Sequence, residues 1–324
     1  MVTIEVIKDS FGRKINYVRV SVTDRCDMRC KYCMPSDGVD KKTHNEILTF
    51  EQLYEIIYLL SELGINKVRL TGGEPLVRKG LVSFIDSINS IKSIKDLAIT
   101  TNGQLLTKYA EDLKNAGLKR LNISIDTLDD KKYSEITRGG KLSETLRGIE
   151  KATNLGFDKI KLNVVLIGGF NDDEIESFVN ITKTENIDVR FIELMPIGEC
   201  SKWSLDNFIS TSKIIEQCKE LEPVVYNDVS SPAKYYKLPN AKGKVGLINP
   251  ISCKFCENCN RIRITADGKL KNCLHSDVET DLKLYINDKN KLNEEIIKSI
   301  MAKPKEHNLE NGDYIKRNMI KIGG

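Results

Sequence analysis

Six of the chain's cysteines fall into two tight groups. Cys26, Cys30 and Cys33 form C-x-x-x-C-x-x-C, while Cys256-x-x-Cys259 is followed by Cys273 after thirteen residues. Three thiolates so close in sequence can converge on one metal centre. Tetrahedral zinc wants four ligands, commonly from paired C-x-x-C units. A cubane iron–sulfur cluster also normally takes four cysteines. The first group has three and no obvious fourth, which leaves one iron open as a Lewis-acidic position for a substrate or cofactor. In the second group Cys253 adds an overlapping C-x-x-C. A four-cysteine zinc ribbon therefore competes there, and spacing alone divides evenly between zinc and iron–sulfur. Arg261 and Arg263 follow Cys259 directly. Two apart on a strand, they face the same way. Guanidinium groups suit phosphate, so this group reads as a metal centre beside a phosphorylated substrate.

Bulk properties bound the rest. The chain has 324 residues, 40% hydrophobic and 30% charged, with a net charge of +4 and a pI near 8.4. That is globular composition, large enough to need no disulfide staples. The charge is too weak for a nucleic-acid coat but compatible with a basic pocket for a small anion. Nine cysteines, six of them clustered, point to metal binding in a reducing compartment. The first residues lack an apolar secretory core, and no stretch is long enough for a membrane span. The expectation is a cytoplasmic protein with no nucleic-acid or membrane partner.

These groups need a scaffold, and the first two-thirds of the chain supplies a repeating one. Residues 17–22, 67–71, 96–101, 121–125, 161–167 and 188–193 read as strands. Residues 50–63, 81–91, 105–116, 143–155 and 172–185 read as helices by apolar spacing, with Thr49 a cap and Gly156 a stop. Six βα-type units imply an α/β fold with a parallel sheet, too few strands for a closed barrel. The expectation is an open, partial barrel of TIM type over residues 1–200. Residues 201–324 then form a C-terminal region that carries the second cysteine group, short strand-like pieces and a helix at 292–301. Chemistry in such folds sits at the C-terminal strand ends. The Thr71-Gly72-Gly73-Glu74-Pro75 turn, Thr100, Thr101, Asn102, Ser124, Asp126, Lys161, Asn163, Arg190, Glu193 and Met195 gather at or near those ends.

The first cysteine motif after the first strand, with Tyr32 inside it, resembles the radical S-adenosylmethionine superfamily, as does the G-G-E-P turn. The string FCENCNRIRITADGKLKNCL resembles the C-terminal motif of the GTP 3′,8-cyclase family of molybdenum-cofactor biosynthesis. SVTDRCDMRCKYCMP, RLTGGEPLVR, TTNG, LNISIDTL, RFIELMP and RNMIKIGG extend that likeness over nearly the whole chain. The resemblance implies two 4Fe–4S clusters, on Cys26, Cys30 and Cys33 and on Cys256, Cys259 and Cys273. It implies S-adenosylmethionine at the first, contacted by Tyr32, Gly73, Ser124 and Met195. It implies GTP at the second, contacted by Arg19, Arg69, Thr100, Lys161, Arg190, Arg261 and Arg263. It implies that a radical taken to C3′ of the ribose attacks C8 of guanine, giving 3′,8-cyclo-7,8-dihydro-GTP. Arg261, Arg263 and a Gly323-Gly324 tail entering the active site then serve catalysis. It further implies an electron donor such as flavodoxin or ferredoxin, a partner enzyme forming cyclic pyranopterin monophosphate, and a homodimer. Cys253 departs from the three-ligand pattern and reads as a bystander. Cys200 and Cys218 carry no motif and read as ordinary thiols. A peptide-modifying radical enzyme shares the first motif but gives no reason for the paired arginines. A zinc-binding regulatory protein is the non-enzymatic alternative.

Overall fold

The computed structural model describes residues 5–225, 228–309 and 314–323. Strands β1 (Tyr17–Ser21), β2 (Lys67–Thr71), β3 (Asp96–Thr101), β4 (Arg120–Ser124), β5 (Lys159–Leu166) and β6 (Ile187–Glu193) lie side by side in chain order. All five pairings among them are parallel. The connections carry helices α1 (Phe50–Glu62), α2 (Leu81–Asn89), α3 (Leu106–Asn115), α4 (Asp130–Thr137), α5 (Leu142–Leu155) and α6 (Ile175–Thr184). α1 begins at a capping box in which Thr49 and Gln52 satisfy each other's backbone N–H groups. α5 stops where Gly156 takes φ +71°, a left-handed conformation that glycine adopts without steric cost. α4 was not legible in the sequence, because its eight residues hold only three buried side chains.

Beyond α7 (Ser212–Gln217) come β7 (Glu222–Pro223), β8 (Ala233–Lys237), β9 (Val245–Ile248), β10 (Arg261–Ile264), β11 (Lys269–Lys271), β12 (Thr280–Asp281) and helix α8 (Lys289–Met301). These strands continue the same sheet at both ends. β9 joins β6 in parallel, and β8 and β7 follow antiparallel. β10 joins β1 in parallel, and β11 and β12 follow antiparallel. The result is one open twelve-stranded sheet running from β12 to β7, hydrogen-bonded continuously across residue 200.

Strand alternation sorts the residues. On β2, Val68 and Leu70 are buried toward the helices while Arg69 faces the lumen. On β1, Val18 and Val20 are buried in the same way beside the lumenal Arg19. Register does the rest. Arg19 pairs with Arg69 on one side and with Arg263 on the other. In-register residues of parallel strands point the same way at about 4.8 Å per strand. Three guanidinium groups therefore stand in one row across β10, β1 and β2.

Candidate active site

The first cysteine trio sits on the loop after β1, at the C-terminal ends of the parallel strands. Its partner loop is the G-G-E-P turn after β2. The Gly73 N–H donates to the Thr23 carbonyl (2.8 Å), and the Glu74 N–H donates to the Arg25 carbonyl (2.8 Å). A Cβ on Gly73 would lie 1.9 Å from the Arg25 carbonyl oxygen, so only glycine lets the two loops dock. Gly73 also lines the cavity, but its missing side chain answers first to this backbone approach. Glu74 is buried and accepts from the Leu76 N–H, the Asn102 N–H (2.7 Å) and the Thr101 hydroxyl (2.8 Å). Burial pushes its carboxyl up to about 7 against those bonds. Tyr32 donates its hydroxyl to Asp126 (2.7 Å), which also accepts the Val165 N–H (2.8 Å). Burial lifts Asp126 to about 6.

The second trio lies elsewhere. Cys256 and Cys259 precede β10, and Cys273 follows antiparallel β11. That is the N-terminal end of the strands, not the C-terminal end where the fold type leads one to look, because β10 enters in parallel beside β1. The two trios nevertheless face one cavity of about 370 Å³, which all six cysteines line. Tyr32, Ser124 and Met195 line it near the first trio, and Arg19, Arg69, Thr100, Arg190, Arg261 and Arg263 line it between the trios.

Lys161 does not line that cavity. It faces an adjoining polar pocket of about 190 Å³ with Lys67 and Arg120, and Arg69, Arg190 and Arg261 border both spaces. The Lys161 ammonium donates to the Tyr235 hydroxyl (2.9 Å) and lies 3.6 Å from Asp188. Gly323 takes φ +82° beside Ser21 and Thr71 and accepts a long bond from Arg263 (3.4 Å). Gly324 lies outside the described residues.

Electrostatics divide the cavity into zones. The first three thiols are buried together. Burial raises Cys33 to about 12 and Cys26 and Cys30 well above the ordinary thiol range, with neighbouring thiols and Asp126 adding to the rise at Cys30. Such a trio ionises together only on a cation, which fits a metal-cluster ligand set better than a reactive thiolate. In the second trio burial raises Cys256, whereas Lys303, Arg261 and Arg13 overcome burial and lower Cys259. Neither trio closes on a single ion: among the described residues no three His, Cys, Asp or Glu side chains converge that tightly.

Between the trios several buried and half-buried arginines crowd together. Burial, then Arg263, holds Arg19 well below its ordinary value. Burial lowers both Arg190 and Arg263 to about 10. Among the described residues Arg69, Arg190 and Arg261 make no ion pair, and Arg69 Nε, Arg190 Nε and Thr100 Oγ1 are buried without a hydrogen-bond partner. Each orphan costs about 1–3 kcal/mol. A bound polyanion answers both deficits at once.

Several lining residues had no signal in the sequence. Lys271, Lys303, His275 and His307 reach the wall only through the C-terminal fold. Arg13 donates to the Cys256 and Lys305 carbonyls (2.9 and 2.8 Å) and pairs with buried Asp9 (2.6 Å), stapling the second trio's loop to the N-terminal segment. Cys200 is buried in the cavity wall, where burial raises its thiol to about 12. Cys253 is exposed beside Lys234 (3.3 Å) and does not line the cavity.

Comparison with known proteins agrees with this geometry. The Radical SAM superfamily model matches residues 20–181, and the Molybdenum Cofactor Synthesis C model matches residues 187–309. A GTP 3′,8-cyclase of Peptoclostridium acidaminophilum is 55% identical over 320 residues, covering 98% of each chain. The chain belongs to the GTP 3′,8-cyclase family of the radical SAM superfamily. A second family member, from Alkaliphilus oremlandii, is 55% identical over 98% of this chain and all of its own length. Among solved structures, Streptococcus suis SuiB bound to S-adenosylmethionine shares the fold at a TM-score of 0.58, with 14% identity over 95% of this chain and 77% of SuiB. SuiB bound to precursor peptide SuiA gives 0.59 at 14% identity, over 98% of this chain and 77% of that one. Superfamily membership brings S-adenosylmethionine and a 4Fe–4S cluster. No helix among the described residues is long and apolar enough to cross a membrane.

Proposed function

We propose that this GTP 3′,8-cyclase family member converts GTP to 3′,8-cyclo-7,8-dihydro-GTP in the cavity between its two cysteine trios. One observation carries the reading: a single cavity of about 370 Å³ exposes both trios, and among the described residues Arg69, Arg190 and Arg261, which line it between them, make no ion pair. A peptide substrate gives no reason for those arginines. Cys26, Cys30 and Cys33 would hold a 4Fe–4S cluster that, with S-adenosylmethionine, supplies hydrogen-abstracting one-electron chemistry at C3′ of the ribose. Cys256, Cys259 and Cys273 would hold a second cluster facing the purine.

The chain's own residues bind, align and exclude water. Arg19, Arg69, Arg190, Arg261 and Arg263 neutralise the triphosphate, and Lys161 reaches its far end from the adjoining pocket. Thr100 offers its orphan hydroxyl to the nucleotide. Tyr32, fixed by Asp126, together with Gly73, Ser124 and Met195, frames the adenosyl cofactor. Gly323, whose φ of +82° favours glycine, walls the reacting centre, and the family likeness alone extends this role to Gly324. Fixed alignment is the main service a protein gives such chemistry.

The division into a 1–200 core and a 201–324 region suits these roles, each supplying one trio. The family likeness alone extends the reading to a flavodoxin or ferredoxin donor, a homodimer, a cytoplasmic setting and a pathway enzyme that forms cyclic pyranopterin monophosphate. Anaerobic incubation with GTP, S-adenosylmethionine and dithionite, followed by identification of the nucleotide product, tests the proposal. Recovery of unchanged GTP from fully reconstituted protein overturns it.

A further inference from the structure

Residues 314–323 lie at the C-terminal ends of the parallel strands, the end that holds the first trio, where the Ile315 carbonyl accepts the Gly198 N–H beyond β6 (2.8 Å). Their anchoring is specific. The Arg317 guanidinium donates to both carboxylate oxygens of Asp267 (2.8 and 3.1 Å) and to Glu279 (2.5 Å). All three side chains are largely buried, at 21%, 12% and 20% exposure. Asp267 sits in the β10–β11 turn, where the Thr265 hydroxyl also holds it (2.5 Å). Glu279 is shared with the cavity residue Lys271 (3.1 Å). Thus one arginine ties the segment to the hairpin that carries Arg263.

What lies beyond Arg317 is aimed at the site. Asn318 accepts the Glu199 N–H (3.0 Å), Met319 lines the cavity, and Ile320 and Ile322 are buried. The Ile320 N–H faces the Cys33 sulfur and opposes the rise burial imposes on that thiol. Gly323 then presents its carbonyl to Arg263. Met319–Ile322 form a short 3-10 turn that ends at Gly323, with about three residues per turn, so a slip of one residue rotates each of these groups away from its partner and the register must be set upstream. Ile320 and Ile322 supply burial on that turn.

We propose that Arg317 is a positioning residue: its grip on Asp267 and Glu279 fixes the register in which residues 318–323 cover the first cysteine trio and reach Arg263. This deepens the proposed function, on which its purpose rests, while its geometry can be tested without turnover. Hydrogen bonds to ligand sulfurs help set a cluster's reduction potential, and an N–H donor favours the more negative, reduced state. Losing the register therefore lowers the potential of a cluster on the first trio.

The test compares reconstituted wild type, Arg317→Ala and Arg317→Lys by hydrogen exchange, and by redox titration of the first cluster in chains whose second trio is replaced by alanine. Loss of the Arg317 bridge between Asp267 and Glu279 is expected to speed exchange at residues 318–323 about tenfold (roughly 1.4 kcal/mol). Exchange in β1 and α8 should not change, and the first cluster's potential should move negative. Lysine, able to engage one carboxylate at a time, should recover part of both effects. Unchanged exchange in Arg317→Ala overturns the proposal. So does faster exchange spread through the barrel, or faster local exchange with an unmoved potential. Failure to turn over GTP would sink the proposed function and leave these readouts standing.

Discussion

Lys161 should make GTP binding depend on pH in a way no surface lysine would. Its ammonium is buried on β5, facing Arg190 and Asp188 of β6, Tyr235 of β8, Arg120 of β4 and Arg69 of β2. Burial and Arg190 lower it to about 7, and Asp188 offsets them only in part, since that carboxylate is already held by Lys159 (2.8 Å). At pH 8 the free protein therefore leaves Lys161 about nine-tenths neutral. A triphosphate favours the ammonium and raises its pKa, so binding at pH 8 should take up about 0.9 proton. The terminal phosphate, with a pKa of about 6, is already ionised there and adds little. Affinity should be complete below about pH 6 and fall about tenfold, roughly 1.4 kcal/mol, per unit as pH rises above 7. Calorimetric titration of reconstituted protein with GTP, in two buffers of different ionisation heat, reads the proton count directly. Lys161→Arg keeps its charge and should abolish both the uptake and the slope. No uptake in the wild type at pH 8, or equal uptake in the arginine variant, refutes the reasoning.

Other outcomes follow from the same geometry. Replacing Cys256, Cys259 and Cys273 with alanine should cut iron in anaerobically reconstituted protein from about eight to about four per chain; zinc, or unchanged iron, would count against a second cluster. Glu193 is fully buried and accepts from the Ile251 and Ser252 N–H groups (3.1 and 3.0 Å), the Asn249 amide and the Ser252 hydroxyl. Glu193→Gln turns an amide donor on those groups and should cost about 2–3 kcal/mol in urea unfolding, with second-site iron lost before first-site iron. Gly73→Ala drives a methyl into the Arg25 carbonyl. It should cost at least about 3 kcal/mol and lower first-site iron selectively, as unfolding curves and iron analysis will show.

The parallel core was legible because long apolar periods announce it. Residues 67–71 and 96–101 were read as they stand in β2 and β3. Helix ends shifted by a few residues, as at α2, which stops at Asn89 rather than 91. The C-terminal strands were not legible as members of this sheet. β7 and β12 have two residues each and β11 has three, too few for alternation to show. Their place depends on pairings such as Tyr17 with Arg261, which no local pattern records. The cysteines and paired arginines stood out because reactive side chains at short spacing need no tertiary context. That the second trio lies at the opposite strand ends, that Lys161 faces a separate pocket, and that Arg317 anchors a distant segment are all matters of register.

The meeting of β1 with β10 also bears on how the chain is made. Asn16 and Asn260, hydrogen-bonded beside that seam, are 244 residues apart. During synthesis β1 leaves the ribosome long before its neighbour exists, and one flank of its backbone stays open to other nascent chains. Closing so long a loop is slow rather than ruinous, because its entropic cost grows only with the logarithm of length. A product cut short before Arg261 would keep that flank bare permanently, so premature termination should yield inclusion bodies rather than a half-sized soluble enzyme.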